Sequence, residues 1–458
     1  MATDVSSPSR SAPGSTVHGL SLLRMVRRDP LTLLLAERRA HGPVVRLRVP
    51  QLPLYLVTDP EAIQEAMIRT HHEYEKGFGR KDSDSPAAQP LIRALGRGLL
   101  TSDAQLHRRQ RRLIQPMFHH DRIAGYGRTF VELAGRALDD WRDGEIRDVH
   151  RDMAELTLAI VARTVFDVDI EADVVTTIRV ALAENQDTLR RSTSLWGRVL
   201  NRLPVPSTRR WNASERHMNG LMYRMIEERR AAGATGDDLL SLLLSARDKE
   251  TGEPMSDTQV RDEAVTLLLA GHETTANALA FALHLLASHP VQQQRARDEL
   301  TGVLCGQTPT VADLRRLPYT NAVVSETMRL YPPAWMLQRR LTQDRLIGGY
   351  RLPKGATLFM PPWVVHRDPE LWPEPDAFRP ERWLTDPGDR HRYAYYPFGG
   401  GPRQCIGNDF ATVEASLVLA TLLPRWRLEP APDAPPVVPL PLITLRPRHG
   451  VWLTVARA

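Results

Sequence analysis

The segment between Ser256 and Pro290 constrains the fold of this chain more than any other. Ser256 and Gln259 match a capping box that starts a helix, and Pro290 stops the pattern. The helix between them would have about 30 residues and a length of roughly 45 Å, enough to cross a whole domain. From Ala264 to Ala287 it is apolar on most faces, so we expect it to be buried.

The rest of the chain predicts a mostly α protein of the α+β class, helix-rich with small peripheral β-sheets. Nearly every segment between about Asp103 and Ser288 has helical periodicity, and a last helix is expected over about Asn408–Leu423. Alternating apolar residues predict short strands, first as a hairpin around a Pro-rich turn and later after Pro332. The predicted strand segments are Val44–Val49, Leu54–Val57, Arg345–Leu352 and Thr357–Met360.

Composition favours one large domain in a reducing compartment. The 458 residues are 42% hydrophobic, enough to bury a large core, and no linker, repeat or charge block marks a boundary. We therefore predict a Ser/Pro-rich disordered tail over residues 1–17 and a single domain over 18–458. Only Cys305 and Cys405 are cysteines, which favours the cytoplasm, and Cys305 is expected to be an incidental thiol. We find neither a signal peptide nor an N-terminal apolar stretch near the roughly 20 residues of a membrane span.

A net charge of +6 leaves two interpretations open. It would suit nucleic acid or an acidic protein partner, or it reflects arginine used as the ordinary surface cation. A nucleic-acid-binding protein needs basic and aromatic residues clustered on one face, whereas the arginines here are dispersed. We therefore expect no nucleic-acid partner.

A glycine-rich loop around Cys405 carries the strongest chemical signal. The loop reads Phe398-Gly399-Gly400-Gly401-Pro402-Arg403-Gln404-Cys405-Ile406-Gly407. Glycines let the backbone approach a flat ligand closely or adopt positive φ, and a helix predicted just after Cys405 favours the thiolate over the thiol. Arg403 could pair with an anionic group of the ligand. This pattern indicates a reactive or metal-bound thiolate and not a buried structural thiol.

A polar island interrupts the long apolar helix. It reads Gly271-His272-Glu273-Thr274-Thr275. Burying a carboxylate and hydroxyl groups costs several kcal/mol unless they are paired or functional. The pattern alone leaves a solvent-facing stripe as the alternative.

These segments and three others resemble the motifs of the cytochrome P450 family, in the family's order and over nearly the whole chain. Phe398-x-x-Gly401-x-Arg403-x-Cys405-x-Gly407 resembles the cysteine-ligand loop, and Ala270-Gly271-x-Glu273-Thr274-Thr275 resembles the oxygen-activation segment. The other three similarities are Glu326-Thr327-Met328-Arg329, Phe378-Arg379-Pro380-Glu381-Arg382-Trp383 and His107-x-x-x-Arg111. Two positions depart from the usual pattern: His107 replaces a common Trp, and Trp383 replaces the usual Phe.

The resemblance implies the fold of this family and a haem b cofactor (iron protoporphyrin IX). Cys405 would be the axial thiolate ligand of the iron, which favours cleavage of the O–O bond. The haem propionates would be bound by Arg403, by His107 and Arg111 on one helix face, and by Arg339.

The resemblance also implies roles for two pairs of side chains. Thr274 and Glu273 would deliver protons for catalysis, although Thr274 could instead be a structural residue whose hydroxyl bonds a carbonyl one turn back. Glu326 and Arg329 would form a buried charged network with Arg382.

The implied activity is that of a monooxygenase that inserts one oxygen atom of dioxygen into a hydrophobic substrate. The chain has no Gly-rich dinucleotide fingerprint, so electrons would come from a separate ferredoxin and its reductase. Arg108, Arg109 and Arg112 would form a docking patch for it or an ordinary solvated face. Segments such as Ile443-Thr444-Leu445-Arg446-Pro447 resemble actinobacterial terpene hydroxylases, which favours a terpene-like substrate. A fatty-acid or macrolide hydroxylase, or a haem-dependent isomerase or dehydratase of the same fold, remains an alternative.

Overall fold

A computed structural model describes most of the chain. The described residues are 11–49, 52–76, 89–102, 104–167, 205–233, 238–248, 250–386 and 388–458, with the single residues 180, 184, 188, 203 and 236. Helix accounts for 56% of the structure and the sheets are small and separate, which confirms the predicted helix-rich α+β class.

The chain divides into two compact units. The first comprises residues 1–77, 334–377 and 387–405, and the second comprises 78–333, 378–386 and 406–458. The single domain expected over 18–458 stays a prediction, and each unit is described by itself below.

The first unit is built on a six-stranded sheet. Its helices are α1 (Gly19–Arg28), α2 (Pro30–His41), α3 (Pro60–Gln64) and α13 (Pro362–Val365). Its strands are β1 (Gly14–His18), β2 (Val44–Val49), β3 (Leu52–Val57), β4 (Tyr74–Glu75), β6 (Leu337–Leu341), β7 (Arg345–Ile347), β8 (Tyr350–Leu352) and β9 (Thr357–Met360). The sheet order is β1-β2-β3-β9-β6-β4, and β7 and β8 form a separate hairpin.

The predicted strands of this unit are confirmed. Strands β2 and β3 pair antiparallel, with Val44 opposite Val57, and their inward-facing apolar residues enter the core of the unit together with Ile63 and Leu358. After α3 the chain continues as a π-helical turn over Glu65–Arg69.

The predicted N-terminal tail was too long. Gly14–His18 is strand β1, which pairs parallel with β2, although the prediction placed residues up to 17 in the tail. Ser15 is buried, and its hydroxyl accepts a hydrogen bond from the Arg48 backbone at 3.0 Å. A buried polar side chain whose hydrogen bonds are satisfied fits a strand as well as an apolar side chain does. Local composition does not show that such hydrogen-bond partners exist, so the prediction missed the strand. Residues 1–10 lie outside the described part of the chain.

The second unit is dominated by helices. They are α4 (Gln89–Leu95), α5 (Ala104–Ile114), α6 (His120–Asp139), α7 (Val149–Phe166), α8 (Pro206–Ala231), α9 (Leu239–Ser245), α10 (Asp257–Ser288), α11 (Pro290–Leu304), α12 (Pro318–Leu330) and α14 (Asn408–Leu422). Its strands are β5 (Glu145–Asp148), β10 (Trp426–Pro430), β11 (Pro439–Pro441), β12 (Leu445–Pro447) and β13 (Trp452–Arg457), in sheets ordered β10-β13-β5 and β11-β12.

The long helix α10 forms as predicted. Both bonds of the Ser256–Gln259 capping box are present, the helix has 32 residues, and most of its side chains after Val260 are buried. Helix α7 packs closely against it at Gly271, where an added Cβ would lie 3.1 Å from a methyl group of Val161. Gly271 therefore allows the two helices to approach each other.

No helix among the described residues is both long and apolar enough to cross a lipid bilayer.

Candidate functional site

The Cys405 loop of the first unit has a backbone that only glycine can follow. Gly399 and Gly401 have φ of 70° and 65°, in the left-handed region. A Cβ on Gly401 would lie 1.9 Å from the carbonyl oxygen of Met67, so even alanine would displace the backbone. The loop closes through a hydrogen bond from the Cys405 amide to the Phe398 carbonyl at 2.9 Å. Cys405 itself is exposed, so a ligand can reach its sulfur.

Neighbouring parts of the first unit support this loop. A Cβ on Gly400 would lie 2.1 Å from the Tyr393 hydroxyl oxygen, so the ring packs against bare backbone. A Cβ on Gly399 would lie 3.5 Å from a methyl group of Leu337, on strand β6. The first unit thus brings β6, which also carries Arg339, beside the cysteine loop.

Two of the predicted propionate ligands belong to this unit. Arg339 is buried on β6, and its guanidinium donates to the Gln338 carbonyl at 2.8 Å. Arg403 is half-buried in the turn Gly401–Arg403. A buried guanidinium is a strong binding group for a carboxylate because it is always charged and weakly hydrated.

The other two predicted propionate ligands lie on α5 of the second unit. His107 is buried and Arg111 is half-buried, and their i, i+4 spacing places them on one helix face, as predicted.

Two other arginines of this helix, Arg109 and Arg112, already have acidic partners. Arg109 lies 3.3 Å from Asp248, and Arg112 lies 3.4 Å from Asp248 and 3.0 Å from Glu250. This pairing lowers the positive charge available to a docking protein, so the structure favours an ordinary paired surface at these two positions.

The polar island of α10 is not a solvent-facing stripe. His272 and Thr275 are buried, and Glu273 and Thr274 are half-buried. Burial lowers the pKa of His272 to about 4, so its ring is neutral near neutral pH. The Thr274 hydroxyl donates to the Ala270 carbonyl at 2.6 Å. This is the back-bond expected of a structural Thr274, and its role in proton delivery stays a prediction.

The Glu273 carboxylate has a partner that the sequence analysis missed. The hydroxyl of Thr444, in the segment that precedes β12, donates to Glu273 Oε1 at 2.7 Å. The two residues are 171 positions apart, so no local pattern could have paired them. The only earlier signal was that Thr444 lies in a segment resembling terpene hydroxylases.

The predicted charged network is present in the second unit, and it is larger than predicted. Arg329 makes a bidentate pair with Glu326 at 2.9 Å, and Arg382 donates to the same carboxylate at 2.9 Å. The Arg379 amide and the Trp383 indole N–H also donate to it, at 3.0 and 2.8 Å. Trp383 therefore contributes a hydrogen bond that the usual Phe cannot make.

The profile of the cytochrome P450 family matches residues 16–453. The chain belongs to the cytochrome P450 family. Members of this family bind haem b through a cysteine thiolate. This P450 is therefore a haem-dependent monooxygenase, which incorporates oxygen from dioxygen into a hydrophobic substrate. It needs a redox partner. The isomerase and dehydratase alternatives are thereby set aside.

Three bacterial oxygenases resemble this P450 along nearly its whole length. Cyclooctatin synthase of Streptomyces melanosporofaciens is 39% identical over 97% of this chain and 93% of its own. Cyclooctat-9-en-7-ol 5-monooxygenase of the same organism is 37% identical over 92% and 90%. Pentalenene oxygenase of Streptomyces avermitilis is 33% identical over 95% and 94%.

The residues present fit haem b. The cysteine loop offers an exposed thiol on a backbone held by the close packing of Gly401 against the Met67 carbonyl, and a thiolate is a ligand of haem iron. The buried guanidinium of Arg339 matches the carboxylates that haem carries.

Proposed function

We propose that this P450 hydroxylates a terpene-like hydrocarbon of secondary metabolism. The similarity to the cyclooctatin and pentalenene oxygenases over more than nine tenths of the chain carries the proposal.

Spectral titration of the haem protein tests this substrate class. A ligand that displaces water from the haem shifts the Soret band, so binding is read without turnover. We expect pentalenene or cyclooctat-9-en-7-ol to give saturable shifts at lower concentration than a C14 fatty acid or a macrolide. A preference for the fatty acid or the macrolide would overturn the terpene proposal and leave the monooxygenase activity in place.

For the cofactor, we propose that Cys405 would supply the thiolate ligand and that Arg403, Arg339, His107 and Arg111 would hold the propionates. When bound, the haem supplies the activation of dioxygen. The protein contributes the ligand, the charges that orient the group and the exclusion of water.

Replacing the sulfur of Cys405 tests the ligand assignment. We expect Cys405→Ser to lose both the strongly red-shifted Soret band of the reduced carbon-monoxide complex and the hydroxylation activity, because an alkoxide does not replace the thiolate. Cys305→Ser is the matched control, since this thiol is exposed at the end of α11. An unchanged spectrum in Cys405→Ser would contradict the assignment.

Glu273 and Thr274 are proposed as the proton-delivering pair. Thr274 Oγ1 holds a proton that it now donates to the Ala270 carbonyl, and rotation about χ1 would redirect it. The half-buried carboxylate of Glu273 can exchange protons with solvent and pass them on to the interior.

We further propose a small acidic ferredoxin and its reductase as the electron donors, and the cytoplasm as the location. The net charge of +6 supports an acidic electron donor, and the low number of cysteines, Cys305 and Cys405, supports the cytoplasm. Reconstitution with a ferredoxin and ferredoxin reductase should give turnover, whereas a flavodoxin as the sole donor should give less.

A further inference from the structure

A chain of hydrogen bonds runs from Glu273 into the buried interior of the second unit. Thr444 Oγ1 donates to Glu273 Oε1 at 2.7 Å, and the Asn277 amide nitrogen donates to Thr444 Oγ1 at 3.3 Å. The Asn277 amide oxygen lies 2.9 Å from His150 Nε2. These four side chains come from α10, α7 and the segment before β12.

The donors and acceptors of this chain can be arranged in only one direction. A carboxylate only accepts, so the single hydroxyl proton of Thr444 is used on Glu273, and the Thr444 oxygen must accept from Asn277. The Asn277 amide oxygen then faces His150, whose Nε2 must carry a proton. If the amide were turned over, its oxygen would face an oxygen of Thr444 that has no proton left to donate.

Burial makes the arrangement rigid. Asn277 is completely buried and Thr444 is 8% exposed, so neither can exchange its partner for water. Burial also lowers the pKa of His150, whose ring is therefore neutral near neutral pH and offers one N–H.

The amide of Asn277 determines whether this chain of hydrogen bonds can conduct protons. An amide does not accept and release a proton near neutral pH, so this route does not conduct protons from His150 to Glu273. Its remaining effect is to fix where the Glu273 carboxylate points.

We propose that Thr444 is the positioning residue for Glu273, and that Asn277 and His150 hold the Thr444 hydroxyl in the orientation that this requires. The proposal rests on the proton-delivering role proposed for Glu273. A carboxylate that carries protons from solvent to Thr274 must keep one orientation between turnovers, because proton transfer requires hydrogen-bond distance. Without the Thr444 hydroxyl, Glu273 would lose the hydrogen bond that fixes its Oε1.

The test compares Thr444→Val with Thr444→Ser and Glu273→Gln in the haem-loaded enzyme. Thr444→Val keeps the shape and removes the hydroxyl, whereas Thr444→Ser keeps the donor. Thr164→Val is the matched control, because this 5% exposed threonine bonds, among the described residues, to carbonyls of its own helix, at 2.7 Å to Ile160. Hydroxylated product and peroxide are measured per reduced nicotinamide, together with haem content and substrate affinity.

For Thr444→Val we expect product per nicotinamide to fall by about tenfold, a part of the 10²–10⁴-fold that positioned proton transfer contributes. Haem content and substrate affinity should be unchanged, and Thr444→Ser should retain most of the coupling. A crystal structure of the Thr444→Val holoenzyme should show the Glu273 carboxylate displaced. Thr444→Ala replaces Thr444→Val if the latter does not load haem.

The outcomes separate this inference from the proposed function. If Glu273→Gln uncouples the enzyme and Thr444→Val does not, Thr444 does not position Glu273, and the role of Glu273 stands. If Glu273→Gln leaves coupling intact, the proton-delivering role fails and the inference fails with it. Equal losses in Thr444→Val and Thr164→Val would indicate a general packing effect and would also overturn the inference.

Discussion

Glu326 and Glu263 are both completely buried in the second unit, yet their surroundings differ. Glu326 accepts hydrogen bonds from two guanidinium groups, a backbone amide and the indole of Trp383. Glu263 accepts one hydrogen bond, from the Leu99 amide at 2.9 Å. Burial raises the pKa of Glu263 to about 8, and the neighbouring charge of Asp262 acts in the same direction.

The comparison shows that burial alone does not decide the charge of a carboxyl group. Glu326 lies against two positively charged guanidinium groups, which compensate a buried carboxylate. No cation among the described residues contacts Glu263, and its raised pKa keeps it neutral near neutral pH because an unpaired charge in the interior costs more than protonation. One carboxyl group is an ionic anchor and the other is a neutral hydrogen-bonding group.

Removing the ionic anchor should have the largest effect on stability. Arg329→Ala leaves Glu326 buried with one guanidinium instead of two, and we expect the free energy of unfolding to fall by about 3–5 kcal/mol, as for other broken buried pairs. Haem content per soluble chain should fall with it, as it should in Glu326→Ala. Denaturant unfolding measures the free energy of unfolding, and absorbance measures the haem content.

Arg151→Ala is the matched control for this experiment. Arg151 pairs with Glu155 at 3.0 Å, but both side chains are exposed. Its loss should cost less than about 1 kcal/mol. Similar losses in Arg151→Ala and Arg329→Ala would contradict the view that burial makes the Glu326 network important.

Replacing the indole donor should have an intermediate effect. Trp383→Phe restores the residue usual in the family but removes one hydrogen bond to a charged group, which we expect to cost about 1.5–3 kcal/mol. Trp452→Phe is the control, since its indole donates to the His449 carbonyl at the surface. The measurement compares the free energies of unfolding of the two variants. Equal values would mean that the other donors to Glu326 are sufficient to stabilise its buried side chain.

Replacing the neutral carboxyl should have the smallest effect at pH 4.5 and below, and it should change how stability depends on pH above that value. Because the pKa of Glu263 is raised from 4.5 to about 8 in the folded protein, folding retains a proton that the unfolded chain releases between these values. The parent should therefore lose stability as pH rises from about 4.5 to 8. Glu263→Gln keeps an acceptor for Leu99 and cannot titrate, so its stability should depend less on pH.

At pH 4.5 and below, the two proteins should differ by less than about 1 kcal/mol, because both side chains are then neutral. Thermal unfolding at several pH values measures the difference. Parallel pH profiles for the parent and Glu263→Gln would show that Glu263 is ionised in the folded protein, contrary to the comparison.

Local patterns in the sequence determined the main helix, the buried ion pair and the cysteine loop of this protein. Three predictions from the sequence agree with the structure: the capping box at Ser256, the buried apolar run that follows it, and the Glu326–Arg329 ion pair. Each depends on residues within one or a few helical turns. The glycine loop before Cys405 was recognisable for the same reason. Its backbone conformation is imposed by consecutive residues, and the resemblance to the P450 family followed from it.

The tertiary structure alone decided which distant groups meet. Thr444 reaches Glu273 across 171 positions, and Leu99 donates to Glu263 across 164. Strand β1 likewise forms only because β2 supplies the hydrogen-bond partners that its polar sequence lacks locally. A hydroxyl, an amide or a carboxyl has no periodic signature, and its energy depends on burial and on partners that folding brings together.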